Sequence, residues 1–156
     1  MQDLLDRMSH PVLYLSHMKN YKRIINWSLF AIYIFAVLYI TLIARTPTYP
    51  RHNFHPFWEY ELLLTGNQQR YYFQQVGCNI LMLIPFGAFL EHRLHWKVIP
   101  LGGLFSIAIE LTQYFTARGL CEFDDVFNNT LGCVIGVLVV KEFRAVRSWM
   151  KQRESD

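Results

Sequence analysis

The sequence is short of charged residues and of cysteine, and both shortages narrow the class of protein. Only 17% of its 156 residues are charged, whereas soluble domains hold about 25%. Its three cysteines, Cys78, Cys121 and Cys133, lack paired spacing, so neither a zinc site nor a disulfide framework is predicted. The chain also lacks an activated serine or cysteine motif and a glycine-rich phosphate loop. These absences argue against a soluble domain and leave any catalytic nucleophile unidentified.

Long apolar runs take the place of the missing charges, since 53% of the residues are apolar. The runs that are free or nearly free of charge cover 24–44, 71–90, 98–115 and 126–140. A helix needs about 20 residues to cross a hydrocarbon core of roughly 30 Å. The sequence therefore predicts four transmembrane helices.

The basic residues indicate the orientation of these helices. The net charge is +3, but the lysines and arginines flank apolar runs and form no patch with stacking aromatics, so nucleic acid is not a predicted partner. With a cytoplasmic N-terminus, eleven of the 15 basic residues fall inside, and only Arg45, Arg51, Arg70 and Arg118 fall outside. This distribution satisfies the positive-inside rule. It predicts an all-α, multi-pass protein with both termini in the cytoplasm.

The predicted organisation has three parts. Residues 1–23 form a cytoplasmic or interfacial N-terminal segment, residues 24–140 a four-helix membrane domain, and residues 141–156 a basic cytoplasmic tail. The outer loop between the first two spans, 46–70, is expected to carry a short interfacial helix in WEYELLL, with its aromatic side chains on the membrane surface.

The histidines do not predict a metal site. His52 and His55 in the outer loop have no carboxylate or third histidine at ligand spacing, so they are interpreted as solvated. His92 and His95 in the short inner loop loosely resemble metal ligands together with Glu91, but they are interpreted as exposed loop residues. We predict no metal and no cofactor.

The third span carries Glu110 and Gln113, which are three residues apart and therefore share a helical face. A carboxylate at mid-membrane costs roughly 2.5 to 3.5 kcal/mol and should face the bundle interior. A functional site and a structural buried pair are both compatible with this pattern.

The fourth span begins with two aspartates, either of which has the position to cap its N-terminus. Below them, Asp125, Asn129, Gly132 and Gly136 lie on one stripe. The glycine pair permits close packing of another helix. Asn79 lies in the outer half of the second span. A single asparagine in a span most often forms a hydrogen bond to a neighbouring helix.

Depth along the helices brings the polar residues of the spans to one level near the outer surface. We define this set as the candidate polar site: Asn79, Glu110, Gln113, Arg118, Asp124, Asp125 and Asn129. A purely structural network is one interpretation. A second is binding of a polar head group of a membrane lipid, a lipid-linked sugar or another amphiphile, with Arg118 and Arg45 on its anionic parts. A third is catalysis on a lipid or lipid-linked substrate, with Glu110 or Asp125 as general acid or base, and a fourth is a scaffold that pairs through the glycine stripe.

Four segments resemble the VanZ-like family of bacterial membrane proteins: NFHPF at 53–57, NILMLIPFG at 79–87, IELTQ at 109–113 and RGLCEFDDVFNNTLGCVIG at 118–136. The resemblance implies a multi-pass protein of the bacterial cell membrane, with a role in resistance to lipoglycopeptides such as teicoplanin or in envelope homeostasis. The resemblance implies that Glu110, Gln113, Asp125 and Asn129 occupy the family's polar site positions. It implies this less directly for Arg118, because the spacing between the family's arginine and its aspartate pair varies. Glu122 stands at the family's acidic position before the aspartate pair. The resemblance implies no mechanism.

Overall fold

The computed structural model describes residues 11–66 and 68–154. Over this part of the chain, three helical stretches are long and apolar enough to cross a membrane: Met18–Ile43, Gln69–Thr116 and Phe123–Arg153. The all-α prediction is confirmed in its main part, and helices of this length and composition are those of a membrane protein. The second stretch contains two α-helices, so the number of spans stays a prediction.

The chain divides after Leu38 into two compact units. The first contains helix α1, Pro11–Leu38. Proline suits the first helical position because its missing N–H would have no partner there. Large apolar side chains such as Leu29, Ile32 and Phe35 are exposed, as expected of a lipid-facing helix. Residues 1–10 of the predicted N-terminal segment lie outside the described residues.

The second unit opens with a π-helical turn, Tyr39–Ile43, a short strand β1, Arg51–Asn53, and helix α2, Trp58–Thr65. Helix α2 coincides with the stretch in which the sequence predicts a short helix. Its aromatic side chains contact other rings of the protein. The ring of Trp58 packs edge-on against Tyr72 at 5.7 Å between centroids.

Helix α3, Gln69–Leu94, and helix α4, Val98–Thr116, are joined by a 3-10 turn, His95–Lys97. The short turn folds α4 back along α3, and the rings of Phe86 and Phe105 stack at 5.5 Å between centroids. The two helices therefore form an antiparallel hairpin. Helix α3 continues through Pro85, whose ring nitrogen cannot donate a helical hydrogen bond.

Strand β2, Leu120–Glu122, precedes the last helix, α5, Phe123–Arg153. The two strands pair in parallel, with Arg51 opposite Leu120 and Asn53 opposite Glu122. The sequence analysis assigned both strands to loops, because three-residue strands carry too little pattern to be detected. The pairing ties the loop that precedes α2 to the start of α5.

The predicted glycine stripe of α5 lies against α3 of the same chain. A Cβ atom on Gly132 would collide with the backbone carbonyl of Ile80, and one on Gly136 with that of Ile84. Both contacts advance in the same direction along both helices, so α3 and α5 run parallel. Because glycine has no Cβ, the two backbones can approach this closely.

Helix α4 packs antiparallel to α5 and completes a three-helix bundle. The Cys133 thiol donates a hydrogen bond to the Val98 carbonyl, near the start of α4. Farther along α4, Ser106 Oγ accepts a hydrogen bond of 2.8 Å from Asn129 Nδ2. The order of these contacts is reversed along the two helices. The bundle thus brings the end of α4, the start of α5 and the first half of α3 together.

Candidate functional site

Buried carboxylates collect where α5 begins. Among the described residues, five acidic side chains at this end of the bundle are at most 6% exposed. We call them the acidic cluster: Glu59 of α2, Glu110 of α4, Glu122 of β2, and Asp124 and Asp125 of α5. Burial of a charged group costs free energy unless hydrogen bonds or opposite charges compensate it. The partners of each carboxylate therefore decide what the cluster can do.

Asp124 caps helix α2. Its carboxylate accepts hydrogen bonds from the backbone N–H groups of Phe57, at 2.6 Å, and Glu59, at 2.9 Å. Phe57 has a left-handed backbone, with φ of 63°, and turns the chain into the helix. The sequence analysis expected an aspartate to cap its own helix, but α5 begins at Phe123 without a side-chain cap. Asp124 instead holds a distant segment against α5.

Asp125 and Glu110 connect the cluster to the hairpin. The side-chain amide of Asn79, in α3, donates a hydrogen bond to Asp125 Oδ1. Glu110 Oε2, in α4, accepts a hydrogen bond of 3.1 Å from the backbone N–H of Glu122. The structure thus brings Asn79, Glu110 and Asp125 of the candidate polar site together with Asp124.

Glu59 is a deeply buried carboxylate of the acidic cluster that does not belong to the candidate polar site. Its side chain is 1% exposed, and its Oε2 accepts a hydrogen bond of 3.3 Å from Asn128 Nδ2. The Asn128 side-chain oxygen in turn accepts a hydrogen bond from the Tyr60 hydroxyl. Oxygen atoms of Glu59, Glu122 and Asp125 lie within 4.8 Å of one another.

Two glutamates of the acidic cluster, Glu59 and Glu122, lie outside the membrane-spanning helices and hold their protons more tightly than usual. Burial, followed by the negative charges of Asp125 and Asp124, raises the pKa of Glu59 to about 7. Burial, followed by the charges of Asp125 and Glu59, raises the pKa of Glu122 to about 8. Both carboxyls therefore change protonation near neutral pH, unlike ordinary exposed glutamates.

Two pockets meet at Glu122. The polar pocket has a volume of about 300 Å³ and is lined by Arg45, Arg51, Trp58, Glu59, Tyr71 and Glu122, among others. The apolar pocket has a volume of about 270 Å³ and is lined by Phe54, Ile107, Leu111, Phe123, Glu110 and Glu122, among others. Glu122 thus separates a charged surface from a hydrocarbon-like one.

The remaining members of the candidate polar site have local partners. Gln113 Nε2 donates a hydrogen bond of 3.0 Å to the Thr41 carbonyl in the π-helical turn. The Asn129 amide bonds to Ser106, as described above. Gln113 joins α4 to the π-helical turn, and Asn129 joins α5 to α4. Among the hydrogen bonds of the described residues, neither side chain binds a carboxylate of the acidic cluster.

Arg118 also has a local role. Its Nη1 donates to the backbone carbonyls of Leu42, Ile43 and Arg45, at 3.3, 2.9 and 3.2 Å. Leu42 and Ile43 are the last two residues of the π-helical turn and Arg45 follows it, so these carbonyls lie where backbone acceptors lack helical partners. Of the two arginines considered from the sequence, Arg45 lines the polar pocket.

Sequence reasoning missed several residues of the site. Glu59 was assigned to an interfacial helix, and Arg51 to the outer loop. Glu122 was noted beside the aspartates but not included, and Asn128 was passed over for its neighbour Asn129. A usable signal existed for the last two, because both adjoin the conspicuous DD and NN pairs.

Comparison with known proteins identifies the chain. The family model described as VanZ/LLP1 matches residues 30–145. No curated protein and no solved structure matches. The matched segment covers most of the chain and contains the complete acidic cluster and the glycines that pack α5 on α3. This membrane protein therefore belongs to the VanZ/LLP1 family.

Proposed function

We propose that this protein binds an amphiphilic or lipid-linked component of the bacterial cell envelope. The observation that carries the proposal is the position of Glu122 between the polar pocket and the apolar pocket. A ligand with a charged head and a hydrocarbon chain is the class that needs both surfaces side by side, since apolar groups leave water favourably and charged groups need partners.

The polar pocket suits an anionic head group. Arg45 and Arg51 both line it, and guanidinium groups bind phosphate and carboxylate oxygens through paired hydrogen bonds. Glu59 and Tyr71 line the same pocket. Carboxylate and hydroxyl oxygens accept hydrogen bonds from the hydroxyl or ammonium groups of a sugar or phospholipid head.

The apolar pocket suits the adjoining part of a hydrocarbon chain. Ile107 and Leu111 are one helical turn apart on α4, and Phe54 and Phe123 complete the same wall. Phe54 is 64% exposed, so the pocket is open at its edge. A chain that enters there would continue along the exposed apolar surface of α4 into the lipid phase.

The proposal includes a topology of four spans, with α3 and α4 crossing separately, both termini in the cytoplasm and the site on the outer side. The distribution of arginine and lysine supports this orientation. In a variant with all native cysteines replaced by serine, His95→Cys in the inner turn should resist an impermeant thiol reagent in intact cells. Labelling from outside would overturn the topology.

The experiment that tests the site is resistance to teicoplanin in a sensitised bacterial host. We expect the parent protein to raise the tolerated teicoplanin concentration and Glu110→Gln or Asp125→Asn to abolish that increase. Glu61→Gln removes an exposed carboxylate from α2 and serves as the matched control. Glu110→Gln and Asp125→Asn variants that reach normal membrane levels and protect as well as the parent would contradict the proposed site.

A second candidate is an enzyme embedded in the membrane and acting on a lipid or lipid-linked substrate. The observation that favours it is the close group of Glu59, Glu122 and Asp125 at the boundary of the two pockets. The raised pKa values of Glu59 and Glu122, about 7 and about 8, suit general acid–base catalysis. Purified protein incubated with labelled envelope lipids should then yield a product that Glu110→Gln does not, whereas no turnover across a broad lipid panel would exclude this candidate.

A helix-pairing scaffold is the candidate with the least support. Its proposed contact surface was the stripe of Gly132 and Gly136, which is occupied by Ile80 and Ile84 of the same chain. A second protein would have to displace α3 to reach it.

A further inference from the structure

We infer that the end of α5, residues 141–153, binds anionic phospholipid head groups of the membrane that the helix spans. The uncharged run of α5 ends at Val140, but the helix continues to Arg153. All residues from Glu142 to Arg153 are exposed. We call residues 141–153 the basic extension, and its surface is open to a partner.

One face of the basic extension is apolar and continues a surface of the membrane-spanning part. Val139, in the uncharged run, is followed by three more apolar side chains at intervals of three or four residues, so the four form one stripe. All four are between 49% and 68% exposed: Val139, Phe143, Val146 and Met150. We call them the apolar stripe. It carries a lipid-facing surface beyond the end of the span.

The length of the uncharged run places the start of the basic extension at the membrane. Residues 126–140 cover about 22 Å at a rise of 1.5 Å per residue, less than the roughly 30 Å of a hydrocarbon core. The mismatch is relieved when the next turns of the helix are drawn toward the lipid. Lysine and arginine suit this position, because their long side chains return the charge to the head groups.

A positively charged stripe adjoins the apolar one. Five of the thirteen residues 141–153 are basic, and one is acidic. Four of the basic residues follow one another at intervals of three or four positions: Lys141, Arg144, Arg147 and Lys151. The first two contact the α3–α4 hairpin. Arg147 and Lys151 form no ion pair with any residue that the structure describes, so their charges are available to phosphate groups.

Charge decides between a lipid surface and a second copy of the chain. The spacing of the apolar stripe is also that of a coiled coil. Pairing of two copies would bring their basic stripes together, and like charges at such positions repel. An anionic membrane surface suits both stripes at once, because apolar side chains enter the acyl boundary while basic ones contact phosphate.

This surface lies at the opposite end of α5 from the acidic cluster. The inference therefore does not rest on the proposed ligand site, and the test below contains no ligand of that site.

The test uses the full-length protein in lipid nanodiscs at one copy per disc. Cys78, the exposed cysteine, is replaced by serine, whereas Cys121 and Cys133 are buried and remain. A bimane label at Val146→Cys reports on the apolar stripe. A label at Ser148→Cys, on the opposite side of the helix, is the matched control. Quenching by acrylamide, which is uncharged, measures the access of water to each label.

We expect quenching of the label at position 146 to be about threefold weaker in nanodiscs with about 30% phosphatidylglycerol than in phosphatidylcholine alone. The label at position 148 should change little. The double substitution Arg147→Gln and Lys151→Gln should remove the difference, because it removes the attraction to the anionic head groups. Salt at about 1 M should do the same, since it screens exposed charges.

Arg70→Gln removes an exposed basic residue at the start of α3 and should leave the quenching at position 146 as it is in the parent. Equal quenching at position 146 in the two lipid mixtures would overturn the proposal. Shielding that persists after Arg147→Gln and Lys151→Gln would overturn it as well. Shielding that appears only in nanodiscs loaded with two copies would assign the apolar stripe to self-pairing instead.

Discussion

The two ends of the α3–α5 pair both bury carboxylates, but they treat them differently. At one end Glu91, which is 1% exposed, forms an ion pair with Arg144, and His95 lies 3.7 Å away. Lys141 adds a cation–π contact with Trp96 at 3.5 Å. At the other end the acidic cluster has hydrogen bonds but, over the residues that the structure describes, no ion pair.

The difference separates a structural charge from one that is available to a ligand. Glu91 has its counter-ion within the fold, and nothing else is needed to stabilise it. The acidic cluster needs protons, a cation or a head group to offset its charge. A buried acidic residue is therefore a poor guide to function by itself, and its partners decide which kind it is.

The largest expected change in stability comes from a substitution that separates α3 from α5, the helix pair that connects the two ends. Gly132→Ala places a methyl group against the Ile80 carbonyl, so α3 and α5 must separate. We expect a loss of about 3 kcal/mol in stability and a reduced melting temperature in detergent. On α3, Gly77→Ala is the matched control because a Cβ there meets no atom within 4 Å. Equal melting temperatures for the two variants would contradict the close helix contact.

The next largest effect concerns the end of the α3–α5 pair that contains the ion pair of Glu91 and Arg144. Arg144→Ala leaves Glu91 buried without its ion pair, which should cost about 2 kcal/mol. This is less than for a fully buried pair, because the Arg144 side chain is 47% exposed. Thermal unfolding of Arg144→Ala should show the loss, and Glu91→Gln should restore part of it in the double variant. The exposed Arg147→Ala variant should behave as the parent does, and an equal loss there would refute the pairing.

At the end of the α3–α5 pair that holds the acidic cluster, removal of a charge should increase the stability of the protein. The pKa values of about 7 for Glu59 and about 8 for Glu122 exceed the unfolded value of 4.5. The folded state thus binds more protons, so stability should fall as pH rises from about 4.5 to about 8. Glu122→Gln should stabilise the protein by about 1 kcal/mol near pH 8 and flatten this decline. A melting temperature of Glu122→Gln that falls as steeply as the parent's would contradict the shifted pKa.

The smallest effect is local. Asp124→Ala removes the cap of α2 and should cost about 1 kcal/mol. Amide hydrogen exchange should increase in residues 57–61, while the exchange of α4 stays unchanged. Asp124→Asn retains a hydrogen-bond acceptor and should restore part of the protection. Unchanged exchange in α2 of the alanine variant would show that Asp124 does not hold this helix.

The parts of the site that lie on long helices could be predicted from the sequence. Residue depth along a helix follows from a rise of 1.5 Å per residue, which brought Asn79, Glu110 and Asp125 to one level. The apolar runs 71–90 and 98–115 likewise lie within α3 and α4, whereas α5 continues well beyond the run 126–140, to Arg153. Both inferences need only local periodicity and the thickness of the membrane.

The parts that depend on contacts between distant segments could not be predicted. Glu59 enters the cluster because Asp124 caps α2, a contact between residues 65 positions apart. Arg45 lines the polar pocket, whereas Arg118 donates hydrogen bonds to backbone carbonyls at the end of the π-helical turn. Neither contact leaves a periodic signal in the sequence.

The parallel pairing of β1 with β2 also sets the order in which the molecule is built. Leu120 leaves the ribosome about 70 residues after its partner Arg51, a delay on the order of several seconds at synthesis rates of about 5 to 20 residues per second. Until then β1 has an unpaired edge and Glu59 lacks its neighbours. The site is thus assembled last, and a chain that stops before α5 presents an open strand and an incomplete pocket to the quality-control machinery of the cell.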